Sequence, residues 1–127
     1  MDDKTLLERA ARAAGIEFVP QEIKTGRAFF GLWLKINGEP YEGQRRRFNS
    51  LKDGDDALSL SVKLRINIEH GKYSVRAWTD DAAPVMVDET VFTTDESQRQ
   101  FAMREAITRA AAAIGSAHED LQSGDRG

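Results

Sequence analysis

The sequence predicts an α+β fold: a mostly antiparallel sheet of about four to five strands with N-terminal, middle and C-terminal helices packed on it. Three observations carry this. Apolar residues recur at helical spacing near both ends of the chain, and they alternate singly with polar residues in its middle. Turn dipeptides, Asn37-Gly38 and His70-Gly71, interrupt the alternating stretches. At 127 residues the chain suits one domain, since domains typically run to about 100–150 residues. A chain of this size buries roughly two-thirds of the surface its unfolded form exposes, enough for a core of its own. The expected domain is residues 1–115, and residues 116–127, with almost nothing to bury, are expected to be a disordered tail.

Residues 3–14 read as the first helix. Asp2 or Asp3 caps it, Leu6, Leu7, Ala10, Ala13 and Ala14 share a narrow apolar face, and Gly15 stands where a helix stops. A connector containing Pro20 and Gly26 follows, with a short strand at 16–19. Ala28–Ile36 reads as a strand, Leu32, Leu34 and Ile36 alternating with Trp33 and Lys35. Asn37-Gly38 favours a tight hairpin into a strand at 39–42, which Pro40 places at an edge. A basic loop with Arg45-Arg46-Arg47-Phe48 comes next.

The stretch 55–69 carries two conflicting signals. Leu58, Leu60, Val62, Leu64, Ile66 and Ile68 alternate strictly with polar residues, as in one long strand. Against this, Asp55 is a good N-cap, acidic residues suit a helix's first turn, and strands usually run about 5–6 residues. The preferred reading is a helix at 55–64 followed by a strand at 65–69. Strands at Lys72–Thr79 and Val85–Phe92 follow. Asp95 with Gln98 resembles a capping box opening a last helix, whose buried face is Met103, Ala106, Ile107, Ala110 and Ile114 and whose end is Gly115.

Composition narrows the function classes. There is no cysteine, which excludes a disulfide scaffold and a thiolate metal site, and 18 basic against 21 acidic residues exclude a strongly basic nucleic-acid binder. The acidic start and the short longest apolar run, Ala28–Leu34, predict neither a signal peptide nor a membrane span. Asp53, Asp55 and Asp56 miss the calcium-loop pattern, because Leu64 stands where the last glutamate belongs. They read as helix-capping residues. His70 and His118 lack zinc-ligand spacing, and no nucleophile elbow or phosphate loop occurs; Lys24-Thr25-Gly26-Arg27 is an ordinary basic turn. No catalytic residue, metal or cofactor is therefore expected, and the chain is read as a non-enzyme.

The sharpest local feature is Arg45, Arg46 and Arg47 beside Phe48. Three guanidiniums next to an aromatic suit a phosphate, a nucleotide or an acidic protein, while a plain solvated loop explains the same run. Trp33 and Trp78 fall on the more polar phase of their strands; the expectation is that a terminal helix covers them, and the competing reading is an exposed face that stacks on a ligand or subunit. Arg45, Arg46, Arg47, Phe48 and, less strongly, Trp78 are the partner-binding candidates. The edge at Pro40 and the outward tryptophans also allow a homodimer.

The segment Phe48–Leu64, with its aromatic-Asn pair, acidic turn and Asp-Ala-Leu helix start, resembles a segment of small phage and prophage proteins, the NinX-type proteins of lambdoid phages among them. The ending Arg104–Gly115 is similar to theirs as well. Ser50 stands where those proteins usually carry proline, and the resemblance covers about half the chain. It implies no catalytic residue. It implies a phage or prophage accessory protein in the bacterial cytosol that modulates a host process, counter-defence included, by binding a host protein or a small nucleotide. The alternative is a nucleic-acid-binding accessory protein using the Arg45–Arg47 loop.

Overall fold

A computed structural model describes residues 2–19, 29–36, 39–40, 47–80, 84–91 and 95–124. Helix α1 spans Asp3–Ala13, capped by the Asp2 carboxylate, which accepts the Thr5 N–H at 2.7 Å. Leu7, Ala10 and Ala11 form its buried face. Gly15, at φ 72°, turns the chain out of the helix, and the Ile16 N–H closes back on the Ala11 carbonyl. Residues 17–19 then run antiparallel to 33–35: the Val19 N–H donates to Trp33 O and the Lys35 N–H to Glu17 O.

The segment 32–36 changes partner along its length. Strand β1 (Leu32–Trp33) pairs with β4 (Arg47–Phe48), whereas β2 (Lys35–Ile36) pairs with β3 (Glu39–Pro40). Helix α2 (Gly54–Leu64) follows. Its N-cap is Asp53, whose carboxylate accepts the N–H groups of Asp55 and Asp56; Asp55 itself lies inside the first turn. Arg65, at φ 54°, ends the helix in the left-handed conformation. An antiparallel meander of β5 (Asn67–His70), β6 (Ser74–Trp78) and β7 (Met86–Thr90) comes next, with β6 in the middle. The last element is α3 (Glu96–Gly124). Asp95 accepts both the N–H and the hydroxyl of Ser97 ahead of it.

The α+β class stands, but the strands do not form one sheet of four to five. Among the described residues they split into the three-stranded meander and two two-stranded ladders. The expected strand 28–36 is cut short because Gly31 takes φ 129°, a conformation outside strand geometry, and pairing begins only at Leu32. Helix α2 then separates the ladders from the meander along the chain. The helices do not all lie on the sheet either. Helix α3 is the hub: it packs on β6 and β7, while α1 and α2 pack on α3.

The conflict over 55–69 resolves as helix then strand. Ala57, Leu60 and Ser61 are buried, whereas Leu58 and Val62 are exposed, so burial follows the helical period and not the alternation. Gly115 does not end α3, because the helix runs on to Gly124; residues 125–127 of the expected tail lie outside the described residues. Gly115 is buried against α1: a Cβ built there would lie 2.7 Å from the Arg9 carbonyl oxygen. It is a point of close helix approach. Among the described residues no helix is long and apolar enough to cross a membrane.

Candidate functional site

The β1–β4 ladder sets Trp33 opposite Arg47 and Leu32 opposite Phe48. Side chains alternate across a strand pair, so one phase faces the core and the other faces out. Leu32 and Phe48 take the core phase, at 1% and 2% exposure. Trp33 and Arg47 take the outer phase. The Arg47 guanidinium carbon stands 4.2 Å from the Trp33 ring centroid and 5.4 Å from that of Phe30, whose side chain is 59% exposed. Both lie within the roughly 6 Å over which a cation is attracted to an aromatic face.

This arrangement is fixed from beneath. Gly31 lets the backbone pass close under the ladder: a Cβ there would meet the Phe48 carbonyl oxygen at 2.7 Å. The Asn49 side-chain amide donates to the Phe30 carbonyl, and the Asn49 N–H donates to the buried Asp56 carboxylate at 2.9 Å. Asn49 also accepts the Leu51 N–H on its side-chain oxygen. The next residues tie to α3. Ser50 and Thr108 share a hydroxyl hydrogen bond of 2.7 Å, Thr108 donates onward to the Arg104 carbonyl, and Arg104 Nε donates to the Leu51 carbonyl. The segment 48–51 is thus a buried brace between the ladder, α2 and α3. Above it, Arg47 is exposed and forms no ion pair among the described residues. A guanidinium carbon placed over an indole face leaves N–H donors for an anion.

The sequence-level candidates fare unequally. Arg47 is at the surface as expected. Phe48 is not a surface residue: its strand phase turns it into the core, which corrects its assignment to the partner-binding surface. Arg45 and Arg46 lie outside the described residues. Trp78 is half-buried on β6, between Asn67 and Met86 on neighbouring strands, and therefore belongs to a different sheet from Arg47. Trp33 and Trp78 are both half-buried, each on the strand phase opposite its buried neighbours. Arg47 covers Trp33, and α3 packs on β6, whose buried residues Val75 and Ala77 are on the opposite phase from Trp78. Phe30 was not singled out by the sequence, because an aromatic in an apolar run reads as core; only its place just before Gly31 hinted at a break.

A second charged group lies on α3. Arg109 bridges Glu89 of β7 at 2.8 Å and Glu105, one turn earlier, at 2.7 Å. Partial burial and the neighbouring Glu105 charge push the Glu89 carboxyl above its ordinary value, although Arg109 pulls it back. Both terminal nitrogens of the guanidinium are engaged there. A groove of about 710 Å³ runs alongside, lined by Leu6, Leu51, Lys52, Phe101 and α3 residues including Arg109 and Ala113. Its cation nearest α3 is the one already neutralised. The acidic cluster at α2 is committed as well: Asp53 caps the helix and Asp56 holds Asn49. Among the described residues no group of three or more His, Asp or Glu side chains is placed to hold a metal ion. No protein-family model, curated protein or solved structure matches the chain.

Proposed function

We propose that the chain is a non-enzymatic phage or prophage accessory protein that modulates a host process by binding, and that its ligand is a small nucleotide held at Arg47, Trp33 and Phe30. The observation that carries this reading is the Arg47 guanidinium stacked 4.2 Å above Trp33 beside the exposed Phe30 ring. An exposed guanidinium that has no carboxylate partner among the described residues offers paired N–H donors to a phosphate, and a neighbouring aromatic offers a stacking face to a base. Both halves of a nucleotide find their chemistry within one patch. The phage origin rests on the resemblance of Phe48–Leu64 and Arg104–Gly115, and the bacterial cytosol follows from that origin.

Tryptophan fluorescence supplies the test, because Trp33 forms the floor of the patch. Titration with a panel of mono-, di- and cyclic nucleotides is expected to quench it saturably. A hydrogen bond to a charged group contributes about 1.5–3 kcal/mol, so Arg47→Ala weakens binding by about ten- to a hundredfold. Unchanged affinity in Arg47→Ala removes the patch from the binding site. If no nucleotide binds, capture of a host protein by wild type but not by Arg47→Ala moves the same surface to a protein partner. Binding to oligonucleotides that weakens steeply with salt selects the nucleic-acid reading instead.

A further inference from the structure

The outward face of α2 has a symmetry that its own fold does not use. Leu60 is fully buried at the centre of the helix. Leu58 and Val62 flank it at two residues on either side, and Asp55 and Arg65 at five. At 3.6 residues per turn, Asp55, Leu58 and Val62 fall within about 40° of the direction opposite Leu60, and Arg65, the exposed left-handed C-cap, stands at the C-terminal end of the same helix. Leu58 is 60% and Val62 70% exposed, and Asp55 and Arg65 are exposed with no ion pair among the described residues. The strip therefore reads acid, apolar, apolar, base, with its midpoint at Leu60.

Such a strip is complementary to itself when turned end for end. A two-fold axis through the midpoint sets Leu58 against Val62 of a second copy and Asp55 against Arg65 of that copy, twice each. This is the self-complementarity that an isologous interface requires. A parallel arrangement would oppose acid to acid and base to base. We propose that α2 docks antiparallel on α2 of a second copy of this chain through Asp55, Leu58, Val62 and Arg65. One helix face is smaller than the roughly 800 Å² per partner of a standard interface, which places the dimer in the weak, concentration-dependent class.

Sedimentation equilibrium of the full chain over rising concentration tests this. The average mass of the wild type is expected to climb from 14.2 kDa towards twice that value. D55R alone and R65D alone each oppose like charges at both ends of the seam and are expected to remain monomeric. Mixed one to one, a strip with a base at each end meets a strip with an acid at each end. Both ends of the seam then carry opposite charges, so the mixture recovers association and loses it again at high salt. A second pair guards against misfolding of a helix-terminal variant: L58E and V62K are each expected to stay monomeric and to associate when mixed, with circular dichroism confirming the helix content of each. The proposal is overturned if the wild type stays monomeric throughout, if folded single variants associate like the wild type, or if mixtures of folded variants do not associate. A dimer built on the β3 edge or on the tryptophans would give the second of these results.

Discussion

Glu89 shows how one residue's environment sets a pH dependence. It stands on β7 opposite Val75, partly withdrawn from water, with Glu105 close by and Arg109 bridging both. Burial, then Glu105, raises its folded-state pKa above the ordinary 4.5, so the folded chain holds that proton more tightly than the unfolded chain does. The sign follows. Stability from this group falls as pH rises from the ordinary value through the raised one, and the full cost of the charge is present above that. Asp2 and Asp95 act oppositely: hydrogen bonds from Thr5 and Ser97 lower their pKa values, and their contribution is lost as pH falls below the ordinary 3.8. Glu89→Gln keeps an oxygen for Arg109 and removes the partly buried charge. Its Tm is expected to exceed that of the wild type at pH 7, with the gap closing towards pH 4, where the wild-type carboxyl is itself protonated. A lower Tm at pH 7 would mean that the Arg109 ion pair outweighs the burial. At this scale the sequence was informative where chemistry is local. Asp2 and Asp95 were legible as caps because a carboxylate before a helix needs only its own next few residues. Arg47 was legible as a surface cation, but its stack on Trp33 was not, since that depends on β1 finding β4 across residues 34–46. Phe48 was misplaced for the same reason: a residue's phase is set by the register of a pairing that the sequence does not state.

Elements were legible in proportion to how much of their stabilisation is internal. Helix α2 was found at nearly its observed bounds, against a perfect alternation of apolar residues, because its acidic first turn marks a helix start. The two-residue ladders were not legible, since nothing within Leu32–Trp33 or Arg47–Phe48 specifies a partner. Helix α3 gives the clearest contrast. Glycine is a common helix end, yet Gly115 lies inside α3 because α1 crosses it there, with Arg9 donating from Nη1 to the Ser116 hydroxyl at 3.2 Å. Small residues fill the contact, Ala10 and Ala11 on α1 and Ala110 and Ala111 on α3 all being buried. Gly115→Ala weighs two effects against each other. Alanine improves helix propensity by about 1 kcal/mol. The added methyl would lie 2.7 Å from the Arg9 carbonyl oxygen, which is backbone and cannot rotate aside. Overpacking of this kind costs about 1–3 kcal/mol, so the variant is expected to lose up to about 2 kcal/mol in urea unfolding. A gain of stability would show that the two helices part at no cost, contrary to a tight crossing.

The whole molecule hangs on α3, and that arrangement determines how it unfolds. One side of α3 receives the β5–β6–β7 meander, another receives α1, and α2 with its brace at 48–51 closes a third. The buried residues Leu7 of α1, Phe48 of the ladder, Leu60 of α2 and Val75 of the meander belong to one continuous cluster that includes Ala106, Ile107 and Ala110 of α3. Layers that share one core cannot lose their packing independently, and small single domains usually unfold in one step. Damage on opposite sides of α3 should therefore move the same transition. Leu7→Ala leaves a cavity at the α1 contact and is expected to cost about 2–5 kcal/mol. Val75→Ala, in the middle strand of the meander, removes part of a side chain whose full burial contributes about 1.5–3 kcal/mol. Thermal melts followed by far-ultraviolet ellipticity, which reports the helices, and by tryptophan fluorescence, which reports Trp33 in the ladder and Trp78 in the meander, check this. Each variant is expected to lower a single transition, by about 4 °C per kcal/mol, with both probes coincident. If Leu7→Ala shifts the helical signal while the tryptophan signal melts where it does in the wild type, α1 is a separable layer and α3 is not the common support.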